Sequence, residues 1–332
     1  MAMKNIYLFV ATFLVLFILS LITPTALSIS HHHRHHDHHH RHHDHTISRW
    51  CSQTPHPGPC NYYISRRFAA APRRRLEFRK MLIQVAMERA LEARGHASQL
   101  ESSCENKPHE KAAWRDCLKL YDGTVLQLNR TLSGLGGPHK RSCTDFDAQT
   151  WLSTALTNID TCQTGSSELN VSEFITPVAC GYNVSELLCN SLAVNAKLLE
   201  NQEAINYNET DHDRDFPSWV SNRERRMLES PGIKANLVVA KDGSGHFRSV
   251  QEAINRAARR RIHSRFVIHV KRGVYRENIE VGVGNRNIML VGDGLRYTII
   301  TSGRSVKAGY TTYSSATAGI DGLRFIARGI TF

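Results

Sequence analysis

The 332 residues include 42 Lys+Arg and 30 Asp+Glu, a formal net charge of +12, and are 41% hydrophobic and 22% charged. That balance excludes a chain disordered throughout and leaves room for two domains with sizeable cores. Residues 223–332 hold 20 Lys+Arg and 8 Asp+Glu, the whole of the excess, so the last third reads as a separate basic module. It suits an anionic partner or substrate, with solubility alone as the other reading.

Lys4 precedes an apolar run from Ile6 to Ile22, and Ala26-Leu27-Ser28 sets small residues two apart. This predicts a secretory signal over 1–28, with an uncleaved anchor as the alternative for so long a run. No other stretch is apolar enough to span a membrane, so no stable membrane association is expected after cleavage. Eight cysteines and four N-x-Ser/Thr sequons, at Asn129, Asn170, Asn183 and Asn208, fit an oxidising, extracellular setting. From His31 to His45, 11 of 15 residues are histidine. The segment 29–48 reads as a flexible, pH-sensitive spacer, with loose Zn²⁺ or Cu²⁺ binding as the alternative.

Between Cys51 and Cys60, Pro55, Pro57, Gly58 and Pro59 predict a tight, non-helical loop that a local disulfide could close. Four amphipathic helices follow. Leu76–Arg94 carries Phe78, Leu82, Val85, Ala86 and Ala90 on one side. Ala112–Leu132 repeats Trp114, Leu118, Tyr121, Val125, Leu128 and Leu132 at spacings of four and three. The third opens on a capping-box pattern, Thr144 with Asp147, and runs its stripe through Phe146, Ala148, Leu152, Ala155, Leu156, Ile159 and Cys162. The fourth opens near Asn183 with Glu186 and carries Leu187, Leu188, Leu192 and Leu199. Together they predict an antiparallel four-helix bundle without a cofactor site.

Residues 206–234 turn polar and read as a linker. Asp211, Asp213 and Asp215 begin like a calcium loop, but Phe216 and Asn222 stand where Gly and Glu are required. Within the linker, Arg223-Glu224-Arg225-Arg226-Met227-Leu228 is a paired-basic stretch expected to be exposed and open to a processing protease. From Ala235 the period shortens. Leu237–Ala240, Phe266–Val270, Ile279–Val281, Ile288–Val291, Thr298–Thr301 and Phe325–Phe332 read as strands, and Ser249 with Glu252 opens one helix through Ala258. Short strands without long helices between them leave a sandwich, a barrel and a β-solenoid open.

Common catalytic patterns fail. Gly243-x-Gly245 and Gly292-x-Gly294 lack the third glycine of a dinucleotide loop, and no G-x-S-x-G, H-E-x-x-H or zinc-type cysteine spacing occurs. No cofactor or metal is expected, and the basic module lacks the signatures of a nucleic-acid partner.

Ala235-Asn236-Leu237-Val238-Val239-Ala240-Lys241-Asp242-Gly243-Ser244-Gly245, then Val250-Gln251-Glu252-Ala253-Ile254, resembles the opening of a plant pectin methylesterase. So do Gly273-Val274-Tyr275-Arg276-Glu277-Asn278, Val291-Gly292-Asp293-Gly294, Thr298-Ile299-Ile300-Thr301 and Thr311-Thr312-Tyr313 with Ser315-Ala316-Thr317. Upstream, Trp50-Cys51 to Cys60, Asp116-Cys117-Leu118 with Leu120-Tyr121, and Asp147 to Asn158 are similar to the inhibitor-like pro-region of that family. Arg225-Arg226-Met227-Leu228 resembles the site where a subtilisin-like protease separates the two parts.

The resemblance implies a multidomain chain: an inhibitor-like, all-α four-helix bundle at 49–205, the linker at 206–234, and the first coils of an all-β right-handed parallel β-helix at 235–332. It implies secretion to the cell wall and methyl-esterified pectin (homogalacturonan) as substrate. It pairs Cys51 with Cys60 and Cys117 with Cys162; for the remaining four, Cys104–Cys143 and Cys180–Cys189 are the expected pairs. The family's reaction uses one aspartate as nucleophile and a second as general acid and base, with a glutamine pair for the oxyanion. Neither Asp293 nor Asp321 matches those positions, so the chain is expected to lack esterase activity. Of the substrate contacts only Thr312 carries over, with a β-strand surface hydroxyl as the other reading. Glu277 and Tyr275 read as scaffold. Two alternatives stay open: a pectin methylesterase inhibitor acting through the helices, and a truncated product without function. Residues 235–332 alone are expected to be marginally stable, because a short coil array leaves an open apolar end.

Overall fold

The computed structural model describes residues 45–135, 143–179, 181–206, 220–230, 232–259 and 264–332. The expected signal segment, nearly all of the His-rich spacer, Cys180, Asn208 and the Asp211–Asp215 run lie outside them. Two compact units divide the chain, Met1–Phe78 and Arg79–Phe332.

In the first unit, residues 45–51 are helical and α1 spans Pro57–Arg67. The expected non-helical loop is therefore confined to 52–56. Its prolines act differently from that reading: Pro57 stands at the first position of α1, where a missing N–H costs nothing. The Cys51–Cys60 disulfide joins the helical run to the first turn of α1. Ile47, Ile64 and Phe78 are buried, and the Trp50 and Phe78 rings lie 5.3 Å apart.

The second unit opens with helices: α2 (Arg75–Gln99, which begins in the first unit), α3 (Pro108–Gly134), α4 (Asp145–Glu168), the short α5 (Ser172–Ala179) and α6 (Val184–Asn206). The apolar stripes bury Leu82, Ala86 and Ala90 of α2, Trp114, Tyr121 and Leu128 of α3, Leu152, Ala155 and Ile159 of α4, and Leu187 and Leu188 of α6. Each large side chain so buried contributes about 1.5–3 kcal/mol. The Thr144–Asp147 capping box forms in both directions. Phe146, expected on the stripe, is 56% exposed. The buried position at that end goes to Asp145, whose carboxylate accepts from Arg79 Nη1 at 2.7 Å; Arg79 also donates to Asn195 Oδ1, and Asn195 Nδ2 donates to the Asp145 carbonyl. These groups tie α2, α4 and α6 through one buried polar knot.

The Cys117–Cys162 disulfide links α3 to α4. The expected Cys104–Cys143 pair does not form, since Cys104 is a free thiol; Cys189 is also free, and its expected partner Cys180 lies outside the described residues. The geometry explains why Cys104 and Cys143 stay apart. Cys104 closes a short 3₁₀ turn just before α3, whereas Cys143 packs against Gly134, the last residue of that helix. Twenty-seven residues at 1.5 Å rise set the two about 40 Å apart, far beyond disulfide reach. Burial pushes the Cys104 thiol up.

The expected linker contains a helix, α7 (Asn222–Glu229), capped reciprocally by Ser221 and Glu224. Beyond it come β1 (Leu237–Val239), α8 (Val250–Ala258), β2 (Phe266–Val270), β3 (Gly273–Arg276), β4 (Ile279–Val281), β5 (Ile288–Gly292), β6 (Thr298–Thr301), α9 (Thr312–Ser315), β7 (Ala318–Ile320) and β8 (Ile326–Arg328). Every pairing between these strands is parallel, in three sheets: β1-β2-β5-β8, β3-β6 and β4-β7. Val239, Ile268, Val270, Tyr275, Ile279, Ile288, Leu290 and Ile300 make a common core with Val250, Ala253 and Ile254 of α8. The expected Phe325–Phe332 strand shrinks to three residues, since Gly329 takes a left-handed φ of 66° and breaks it. The Ser249–Glu252 box forms in one direction only. The first turn is completed from afar by the Glu277 carboxylate, which accepts from the Val250 and Gln251 N–H groups and the Ser249 hydroxyl.

Candidate functional site

Thr312 is not on a strand. A 3₁₀ turn (Val306–Ala308) and Gly309, at φ 83°, lead into Thr311, the N-cap of α9, whose Oγ1 accepts from the Ser314 N–H. Thr312 occupies the first position of that single turn.

Helices α3 and α4 meet this turn along a polar seam. Thr311 is buried and its hydroxyl donates to Asp116 Oδ2 at 2.5 Å. The Thr312 N–H donates to Glu168 Oε2 at 2.8 Å and its hydroxyl to Glu168 Oε1 at 2.6 Å. Thr312 remains exposed, yet both its donors are engaged. One turn before Glu168, Gly165 lets Thr311 approach: a Cβ there would lie 3.0 Å from the threonine methyl. One turn after Asp116, Lys119 pairs with Glu280 of β4, lies 3.3 Å from Asp321 and stands 5.3 Å over the Tyr313 ring. The spacing of three residues puts Asp116 and Lys119 on one face of α3, and Gly165 and Glu168 on one face of α4.

Burial raises the Asp116 carboxyl above its ordinary value, against the hydroxyls of Thr311 and Ser314 that donate to it. Half-burial alone would lower Lys119, but Glu280, Tyr313 and Asp321 outweigh it and raise its value. Burial likewise raises the Tyr313 phenol, so it stays neutral beside the ammonium.

Two further acids of the basic module, Asp293 and Glu277, are engaged structurally. Asp293 accepts from the Arg272 N–H and pairs with His269 Nε2, both at 2.7 Å. Partial burial pulls its carboxyl upward, but these partners hold it below the ordinary range. Glu277 caps α8, and Tyr275 is buried with its hydroxyl on the Lys271 carbonyl. Among the described residues no cluster of His, Cys, Asp and Glu could hold a metal.

Arg225, Arg226, Met227 and Leu228 lie inside α7 rather than in an open linker. The Ser221-x-x-Glu224 spacing was the signal for that helix. Of the sequons, Asn129 and Asn170 are exposed, whereas Asn183 is partly buried and its amide donates to Glu186. The seam itself had no sequence signal, because it joins positions 144 and 195 residues apart.

Residues 45–194 match the family described as plant invertase/pectin methylesterase inhibitor, and residues 236–332 match pectinesterase. The chain thus joins an inhibitor-family region to a pectinesterase-family region. It is 54% identical over 288 residues to the Arabidopsis thaliana protein named Probable pectinesterase/pectinesterase inhibitor 60, covering 86% of this chain and 53% of that one. With Pectinesterase 2 of Citrus sinensis the identity is 43% over 286 residues, covering 86% and 52%. The chain thus spans about half the length of these relatives. Among the described residues no helix is long and apolar enough to cross a membrane.

Proposed function

We propose that this chain is the inhibitor-like region and the opening of the esterase region of a secreted, cell-wall pectinesterase precursor, in which α3 and α4 keep Thr312 out of use. The carrying observation is the Glu168 carboxylate on both donors of Thr312. A glutamate presents the same two oxygens as the uronate of de-esterified homogalacturonan. It therefore occupies, with like chemistry, a residue that the family resemblance gives to substrate. Four long helices, α2, α3, α4 and α6, support a four-helix bundle. Strands that pair in parallel with their counterparts about one coil later, in three sheets, support a right-handed parallel β-helix. Among the described sequons, the exposed Asn129 and Asn170 are the best placed for glycans, and Arg225–Leu228 is the processing segment.

Methanol release from highly methyl-esterified pectin tests this reading. The 332-residue chain alone is expected to release none, because neither catalytic aspartate of the family has a match in it; release above background overturns that. Added to an active pectinesterase, the chain is expected to slow it little, since its own Thr311–Tyr313 turn already fills the helical face. Strong slowing would instead favour a second reading, suggested by the acids and lysine aligned on that face: an inhibitor acting on another molecule.

A further inference from the structure

A protease reads its substrate as an extended strand, with main-chain donors and acceptors free. In α7 they are not free. The Arg225 N–H donates to the Ser221 carbonyl and the Ser230 N–H to the Arg226 carbonyl, both at 2.9 Å. The side chains are within reach: Arg223 and Arg226 line a groove of about 540 Å³ with Lys234 and Asn236. What is withheld is the backbone.

Eight residues are too few to stay helical unaided, and the structure shows what holds them. Each oxygen of Glu224 has its own task. Oε2 accepts from the Ser221 N–H and hydroxyl, both at 2.9 Å, closing the capping box. Oε1 accepts from Arg265, from Nε at 2.8 Å and from Nη2 at 2.5 Å, with the two side chains only 18% and 8% exposed. Arg265 reaches further through Nη1, to the carbonyls of Ile288 and Arg324. At the far end, Arg328 Nη1 donates to the Ser230 carbonyl at 2.8 Å. Burial pulls the Glu224 carboxyl upward, but the Ser221 N–H and Arg265 outweigh it and hold it below its ordinary value.

We propose that α7 is a latch: while Glu224 caps the helix and pairs with Arg265, the bonds flanking Arg226 resist proteolysis, and cutting requires this helix to open. The latch is defined by geometry; its use in maturation rests on reading Arg225–Leu228 as the processing segment.

The test is limited proteolysis of the full glycosylated chain by trypsin, with cleavage on either side of Arg226 quantified by mass spectrometry. When opening is fast relative to cutting, the rate reports the open population. Glu224→Ala is expected to raise it about tenfold, with other cleavage sites unchanged, because cap and ion pair are lost together. Ser221→Ala, which spares the Arg265 pair, is expected to raise it less. In the Glu224→Ala background, Arg265→Met is expected to add little, since the two act as one unit. Circular dichroism confirms that each variant is folded. Equal rates for the native chain and Glu224→Ala, or a native chain cut as fast as the isolated 218–234 peptide, would overturn the latch. A subtilisin-like processing protease that ignores Glu224→Ala while trypsin cuts it faster would overturn the processing reading and leave the latch standing.

Discussion

Asp116 lies where burial and hydrogen bonding oppose each other, and burial prevails. Its proton is therefore bound more tightly in the folded chain than in the unfolded one. Between the ordinary value of 3.8 and the raised value, the folded state carries the extra proton, so this residue's contribution to stability falls as pH rises through that window. Glu224 and Asp293, both lowered, act oppositely: their contributions are full above 4.5 and 3.8 respectively and are lost on acidification. The Asp116→Asn chain isolates the first effect, because its amide oxygen still accepts from Thr311. Thermal melts of both chains from about pH 3 to 7 are expected to show the variant gaining relative to native as pH rises. A pH-independent difference would show that Asp116 titrates normally.

At the scale of elements, the knot of Arg79, Asp145 and Asn195 joins α2, α4 and α6 through buried hydrogen bonds. Arg79→Met strands a buried carboxylate, and urea titration is expected to show a loss of about 3–5 kcal/mol. Replacing Asp145 by Leu in the same chain is expected to recover much of it, since no charge is then left unpaired. An unchanged midpoint for Arg79→Met would mean that water reaches Asp145. This knot was invisible in the sequence, where Asp145 passes for a helix-start residue and Arg79 for a surface charge. The helices were legible because their spacing is local: Leu82, Val85 and Ala86, or Thr144 with Asp147, announce themselves within one turn. Phe266–Val270, Ile279–Val281 and Thr298–Thr301 were legible from β-branched content to the residue. Two strands escaped. Gly273–Arg276 begins on a glycine, and Ala318–Ile320 is small and brief; each is held by the strand it pairs with rather than by its own propensity. Helix α7 escaped because its charges obscured a capping box as good as the one at Thr144.

Over the whole molecule the charge is lopsided, with the entire +12 beyond residue 222. If de-esterified pectin is the anionic partner, the chain is expected to be retained on it at low salt and released near 1 M NaCl, where the screening length falls to about 3 Å. Fully methyl-esterified polymer should retain it weakly at every salt level. Retention indifferent to salt or to esterification would remove charge as the basis of recognition. The division of labour was readable from composition; the meeting of its parts at Thr312 was not, because hydrogen bonds between distant residues leave no local trace.

The grip of Arg265 on α7 has a consequence in time. Glu224 and Arg265 are separated by 41 positions, and Ser230 and Arg328 by 98, so the helix is secured only after the strands between them have stacked. A newly made chain passes through a period in which the dibasic segment is still open, and closes it as the parallel strands pair. If a protease acts on that segment during synthesis, cleavage and folding race each other, and the fraction cut is expected to rise when folding is slowed.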